Sequence, residues 1–234
     1  MKKIYAGTSG WAYSSWKRGF YPPKLSHAEF LNFYATRLNS VEVNYTFRQF
    51  PTKELLKVWI AATPAAFKFA VKAHQSITHF KRLRGAAKPT KEFFASLKPL
   101  RESAKLGPVL FQLPPNFKCD VLLLKNFLAR LPQDFRIAFE FRHDSWFNED
   151  VYELLRRSHV ALCRAESDKL VTPDVATTNF SYLRLRKDRY PAKVRKDLAK
   201  KARSLARKGD VFVYFKHEDT PDGALHAVSL LKAK

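Results

Sequence analysis

Phe67-Lys68-Phe69-Ala70-Val71-Lys72 places large apolar side chains on one strand phase and Lys68, Ala70 and Lys72 on the other. Successive strand residues point to opposite faces, so the Phe, Phe, Val phase meets a helical layer and Lys72 faces the other way. The same phase relation recurs outward from this stretch. Val41-Glu42-Val43-Asn44 turns Glu42 and Asn44 inward, and Ala138-Phe139-Glu140-Phe141-Arg142 turns Glu140 and Arg142 inward. In Tyr182-Leu183-Arg184-Leu185-Arg186 the leucines go outward and Arg184 and Arg186 inward, while Phe212-Val213-Tyr214-Phe215-Lys216 presents Tyr214 and Lys216. Gln112 lies on the polar phase of its own segment.

These stretches belong to eight short apolar segments: Ile4–Gly7, Ser40–Tyr45, Phe67–Ala73, Val109–Leu113, Ile137–Phe141, Val160–Ala165, Tyr182–Leu185 and Val211–Phe215. Helical patterns lie between them. One opens at Ser26 with Glu29 three residues on, a capping box. Others follow Thr52, Asp120, Asn148 and Pro221, and Pro99 predicts an irregularity in the helix carrying Phe93, Phe94, Leu97 and Leu100. Strands alternating with helices indicate a parallel sheet covered by helices, and eight strands favour closure into a (β/α)8 TIM barrel over an open sheet. The expected departure is the link from Glu166 to Ser181, between strands 6 and 7, which carries no convincing helix. With no interdomain linker or internal repeat, residues 1–234 read as one α/β domain. No Gly-x-Gly-x-x-Gly run follows strand 1, which removes support for a dinucleotide fold.

At 234 residues and 46% hydrophobic, with 20 Phe, 9 Tyr and 4 Trp, the chain has ample material for a core. It lacks a long apolar run and a secretory leader pattern, and its two cysteines form no disulfide framework, so a cytoplasmic location is expected. The formal charge is +22, from 43 Lys and Arg against 21 Asp and Glu, which favours polyanionic partners. Between Arg184 and Lys208 there are 12 basic residues in 25. Such a surface gains affinity through phosphate contacts, with little base specificity.

Charges inside a barrel must be paired or hydrogen-bonded, so inward groups late in five strands imply a wet ionic cluster at the carboxyl end, the active face of TIM barrels. Glu42 and Glu140 are the candidate acid–base pair, and Lys72 is the third candidate catalytic group, as an electrophilic cation or an amine nucleophile. Structural salt bridging of either glutamate with Lys72, Arg142 or Arg184 is the alternative. Arg142, Arg184 and Arg186 suit phosphate or carboxylate, with Asn44, Gln112, His143 and Lys216 as further ligand-binding candidates. Trp11, Trp16 and Trp146 lie just past strand ends, where they stack on a ligand or pack against the rim. The histidines are dispersed and His-Glu-x-x-His is absent, so no metal site is assigned. No motif identifies a cofactor, flavin and pyridoxal phosphate included.

The chain also resembles the DUF72, or YecE-like, family over almost its whole length. The resemblance rests on Gly7-Thr8-Ser9-Gly10-Trp11-Ala12-Tyr13, Val41-Glu42-Val43-Asn44-Tyr45-Thr46-Phe47, Phe67-Lys68-Phe69-Ala70-Val71-Lys72-Ala73, and Leu106-Gly107-Pro108 through Gln112-Leu113-Pro114-Pro115. Glu140-Phe141-Arg142-His143-Asp144-Ser145-Trp146 and Tyr182-Leu183-Arg184-Leu185 complete it. It implies a TIM barrel and shared residues at Glu42, Asn44, Lys72, Gln112, Glu140, Arg142, His143 and Arg184, without an established reaction. Two departures add positive charge: Arg186 and Lys187 stand where family members usually continue His-Gly, and Lys216-His217 where they tend to have Asn-Asn. The leading functional expectation is a hydrolase acting on a phosphate-bearing substrate, nucleic acid included, by carboxylate acid–base chemistry. The alternatives are a non-enzymatic nucleic-acid-binding protein and a sugar-phosphate enzyme.

Overall fold

The computed structural model describes residues 2–167, 170–187, 189–216 and 219–233. Eight strands run β1 (Ile4–Thr8), β2 (Ser40–Val43), β3 (Lys68–Lys72), β4 (Leu106–Gln112), β5 (Ile137–Glu140), β6 (Ala161–Glu166), β7 (Phe180–Leu185) and β8 (Asp210–Phe215). Every adjacent pair is parallel, in the spatial order β1-β8-β7-β6-β5-β4-β3-β2, which makes a nearly closed barrel. The helices are α1 (Phe30–Arg37), α2 (Lys53–Ala61), α3 (Ala87–Ser96), α4 (Lys98–Glu102), α5 (Val121–Leu128), α6 (Glu149–Arg157), α7 (Ala192–Ala206) and α8 (Asp222–Lys232).

Local chemistry sets several helix ends. Thr52, Asp120 and Asn148 each accept a backbone N–H in the first turn of α2, α5 and α6, satisfying a donor that the helix itself leaves open. Pro99 acts where expected: α3 ends before it and α4 starts with it in the first turn, where its missing N–H costs nothing. No helix joins β6 to β7 among the described residues; Thr172 and Thr177 bond back to the β6 backbone at Ala165 and Leu162, and Thr177 also to Val160 just before it. β4 begins three residues earlier than its apolar run suggests, because Leu106 already pairs with Phe69. Among the described residues no helix is long and apolar enough to cross a membrane.

The strand phases partition the buried residues as read from the sequence. Phe67, Phe69, Val71, Leu183 and Leu185 belong to the layer between barrel and helices. Tyr5, Ala70, Leu110, Ala138, Cys163, Phe180, Tyr182, Phe212 and Tyr214 pack together as the barrel's own filling. Aromatic and small side chains therefore plug its lower part, with Tyr5 stacked on Phe212 at 4.8 Å.

The seam between β1 and β2 is closed differently from the others. The Asn39 side chain accepts from the Ala6 N–H and donates to the Ile4 carbonyl, both at 2.9 Å. Higher up, the Tyr34 hydroxyl accepts from the Thr8 N–H at 2.9 Å and donates to the Ser40 carbonyl at 3.0 Å. Only above these do the backbones meet, where the Gly10 N–H donates to the Glu42 carbonyl. Gly7 permits this approach, since a Cβ there would lie 1.9 Å from the Ser40 oxygen.

Candidate functional site

The ionic cluster sits directly above the aromatic filling and centres on Arg184, which is 1% exposed. Its Nε and Nη2 donate to Glu42 at 2.8 and 2.6 Å, while Nη1 donates to Glu140 Oε2. Glu42, with no exposed surface, accepts further bonds from the Ser9 and Tyr182 hydroxyls, each at 2.7 Å. Glu140 accepts from Gln112 Nε2 at 2.8 Å across the β4–β5 pairing that sets these two residues side by side. Burial opposes a charge on Arg184, but Glu140 and Glu42 outweigh it and hold the guanidinium protonated. The Tyr182 hydroxyl is pushed well up by burial and then by Glu42, so it acts as a donor. One fork thus ties two carboxylates, which satisfies buried ions that would otherwise be prohibitively costly.

Above this layer opens a cleft of about 920 Å³ at the carboxyl ends of the strands. Of the residues singled out from sequence, Asn44, Lys72, Gln112, Glu140, Arg142, His143, Arg184, Arg186 and Lys216 line it. Glu42 does not; it is one layer deeper, with both carboxylate oxygens occupied. Arg186 approaches Glu42 at 3.8 Å from the cleft side. Arg48, Asp144 and Glu166 add to the lining, which is rich in cations. His217, the second residue of the departure after β8, lies outside the described residues.

Lys72 occupies an unusual position in this group. It is half-buried and its ammonium sits 3.9 Å from the centroid of the Phe47 ring. Among the described residues it has no hydrogen-bond or ion-pair acceptor. Burial and then the nearby Arg184 push its proton affinity down to about 8, against the pull of Glu42 and Glu140. His79, one of the dispersed histidines to which the sequence assigned no role, packs edge to face on Phe47 at 4.8 Å. Burial, Lys72 and Arg142 depress it to about 4, so its imidazole is neutral at pH 7. Its position in the turn after β3, one residue past Thr78, was the available sequence signal.

His143 Nδ1 accepts from the Ser145 N–H at 3.2 Å, capping the turn that carries Asp144 to Trp146. The expectation that Trp146 offers a stacking face to a ligand is corrected: it is fully buried, stacked on Phe141 at 4.7 Å, and its Nε1 donates to the Phe117 carbonyl at 2.7 Å. Trp16 is likewise fully buried. Trp11 is only partly buried but packs edge-on against Trp59 at 5.3 Å, away from the cleft lining. Aromatic neighbours claim each ring: Trp59 for Trp11, Phe117 and Phe141 for Trp146, and the nearby Tyr13, Phe20 and Tyr21 for Trp16. Three polar atoms of cleft-lining residues, Asn44 Oδ1, Glu166 Oε1 and Arg186 Nε, have no hydrogen-bond partner among the described residues. Buried atoms of this kind carry a desolvation cost that a ligand or water offsets.

Known proteins give the chain a family. It is 34% identical over 156 residues to the UPF0759 protein YunF of Bacillus subtilis, a match covering 64% of this chain and 54% of that protein. It is 31% identical over 145 residues to the UPF0759 protein YecE of Escherichia coli, covering 62% and 50%. The matched part spans about half the length of these curated relatives. Among solved structures, a DUF72 family protein from Thermotoga maritima superposes with a TM-score of 0.87 at 27% identity over 98% of both chains. A DUF72 family protein from Enterococcus faecalis gives 0.81 at 20% identity over 99% of this chain and 96% of that one, a likeness of fold. The model of the family described as "Protein of unknown function DUF72" matches residues 5–234, and the chain belongs to that family.

Proposed function

We propose that the barrel mouth is an enzyme active site that binds a phosphate-bearing or other anionic substrate and works on it by proton transfer through Lys72 and Glu140. The observation that carries this reading is the division of labour among the charges. Glu42 is occupied by two bonds from Arg184 and one each from Ser9 and Tyr182, and Arg184 spends its remaining terminal nitrogen on Glu140. Arg142 and Arg186 line the cleft, and Arg142 has no ion-pair partner among the described residues. A binding surface needs only the cations. Lys72, with no acceptor of its own and a proton it gives up near pH 8, is suited to chemistry instead.

Hydrolysis through two glutamates fits the geometry less well than the sequence pattern suggests, because a substrate must displace Arg184 to reach Glu42. Glu42 is therefore assigned to holding Arg184, and Glu140 is the carboxylate that meets substrate. The cytoplasmic location remains part of the proposal. The test pairs isothermal titration with inorganic phosphate and a turnover screen of phosphosugars, RNA and single- and double-stranded DNA. Phosphate binding that Arg142→Ala and Arg186→Ala each weaken about tenfold supports the site. Unaltered binding in both variants overturns it.

A second reading concerns the outer face of α7, where Lys193, Lys196 and Lys200 are exposed and Arg207 and Lys208 follow the helix. This stripe suits non-specific phosphate-backbone contact with nucleic acid, independent of the cleft.

A further inference from the structure

The cleft separates two tasks that a simple anion site would merge. Anion recognition falls to guanidinium groups: Arg142 and Arg186 line the cleft, and planar multidentate donors outperform an ammonium at binding phosphate or carboxylate. Lys72 adds little to that task, yet it is held at the inner end of β3 with its nitrogen against the Phe47 face and beside Arg184. An ammonium retained only for binding is normally given a carboxylate or carbonyl partner. Here both candidate carboxylates are engaged by Arg184, and Gln112 takes another lone pair of Glu140. The fold has withheld acceptors from this amine, which favours its uncharged form. The neutral neighbour His79, packed on the same phenyl ring, supplies no countercharge.

Resting on the anionic-substrate reading of this cleft, we propose that Lys72 is a covalent nucleophile that forms an imine with an aldehyde or ketone carrying a phosphate or carboxylate. The lone pair of Nζ attacks the carbonyl carbon and the C=O π pair moves to oxygen, giving a carbinolamine. Two protons travel from nitrogen to oxygen by way of the Glu140 carboxylate. The ammonium's own, released before attack, goes to the carbonyl oxygen as it becomes the carbinolamine hydroxyl, and one from the adduct nitrogen goes to that hydroxyl as it departs. Water leaves as the C=N bond forms, and the positive iminium sits where the ammonium had been, facing Glu140. The anionic end of the substrate is held by Arg142 and Arg186. Addition of water reverses every step, so no oxidant or further reactant is required.

Reductive trapping tests this. The full chain is incubated at pH 7.5 with sodium cyanoborohydride and either glyceraldehyde 3-phosphate or the neutral glycolaldehyde, and each lysine's modification rate is read by peptide mass spectrometry. An amine releasing its proton near 8 is neutral roughly 200-fold more often at this pH than an ordinary lysine. Lower basicity blunts its attack, so Lys72 is expected to react at least about tenfold faster than the median surface lysine. The phosphate-bearing aldehyde should be favoured over glycolaldehyde at Lys72 alone, and Arg142→Ala should remove that preference. Lys72→Arg keeps the charge; it should retain phosphate binding by calorimetry and lose the fast-trapped site. Lys72 reacting no faster than surface lysines with either aldehyde overturns the imine, whatever the phosphate titration shows. Fast trapping by both aldehydes without preference upholds the nucleophile and counts against the anionic-substrate reading instead.

Discussion

Replacing Lys72 with Met should make the protein more stable at neutral pH. The structure gives the size of the effect. Burial and Arg184 lower the ammonium from 10.5 to about 8. At about 1.4 kcal/mol per unit, the folded state carries a charge penalty on the order of 3 kcal/mol at pH 7. Below pH 8 both folded and unfolded chains hold the proton, so the whole penalty applies. Between 8 and 10.5 the folded chain sheds its proton first, the unfolded chain binds more protons, and stability rises with pH. Methionine has no charge to bury and replaces the ammonium–ring contact with a thioether against Phe47. For a chain of this size each kcal/mol moves the midpoint by about 2–4 °C. Lys72→Met is thus expected to melt roughly 6–12 °C above wild type at pH 7, and the gap should shrink towards zero near pH 10.5. Circular dichroism melts of both proteins at pH 7, 9 and 10.5 measure it. A variant less stable than wild type at pH 7, or a gap that ignores pH, would refute the reasoning.

Glu42→Gln should cost about 3–5 kcal/mol, because it leaves Arg184 with one carboxylate and removes an acceptor from Ser9 or Tyr182; a denaturant titration with no loss of midpoint would return Glu42 to the list of reacting groups. Glu140→Gln should cost less than Glu42→Gln and abolish turnover on any substrate the screen finds, since an amide cannot exchange the proton; retained turnover counts against its role. Trp146→Phe should lower the melting temperature by a few degrees through loss of the bond to the Phe117 carbonyl, while phosphate affinity stays unchanged; weakened phosphate binding would put the ring back at the site. Lys196→Glu with Lys200→Glu should weaken low-salt binding to unrelated duplexes and flatten its dependence on salt, leaving phosphate binding in the cleft intact; an unchanged salt slope in gel-shift titrations would exclude α7.

The barrel was legible because its strands are buried on both faces yet still alternate in kind. Phe67, Phe69 and Val71 went outward and Lys72 inward by phase alone, as did Leu183, Leu185 and Arg184. Convergence of Glu42, Glu140 and Arg184 follows from the same periodicity once eight strands close. Phase does not say which charge meets which. That Arg184 takes both glutamates while Lys72 takes neither depends on strand stagger and side-chain reach, which one sequence does not encode locally. Tyr182 shares the phase of Arg184 and was readable as an inward donor, but its partner Glu42 is 140 positions away. Trp146 misled for the opposite reason: its place just beyond β5 suggested the rim, whereas Phe117 and Phe141 enclose it. Position along the chain locates a ring, and long-range packing decides whether any face of it stays open.

The β1–β2 seam has a dynamic corollary. Elsewhere in the barrel an amide exchanges with solvent only when one strand peels from another, an event that breaks several bonds together. The amides of Ala6 and Thr8 are guarded by single side chains, Asn39 and Tyr34, and a rotamer change frees each one alone. In deuterium exchange these two should be the first strand amides to label. The same seam ends at Gly10 and Ser9, both bonded to Glu42. Breathing there slackens the carboxylate that holds Arg184, so the joint where the barrel opens most easily also loosens the clamp beneath the cleft.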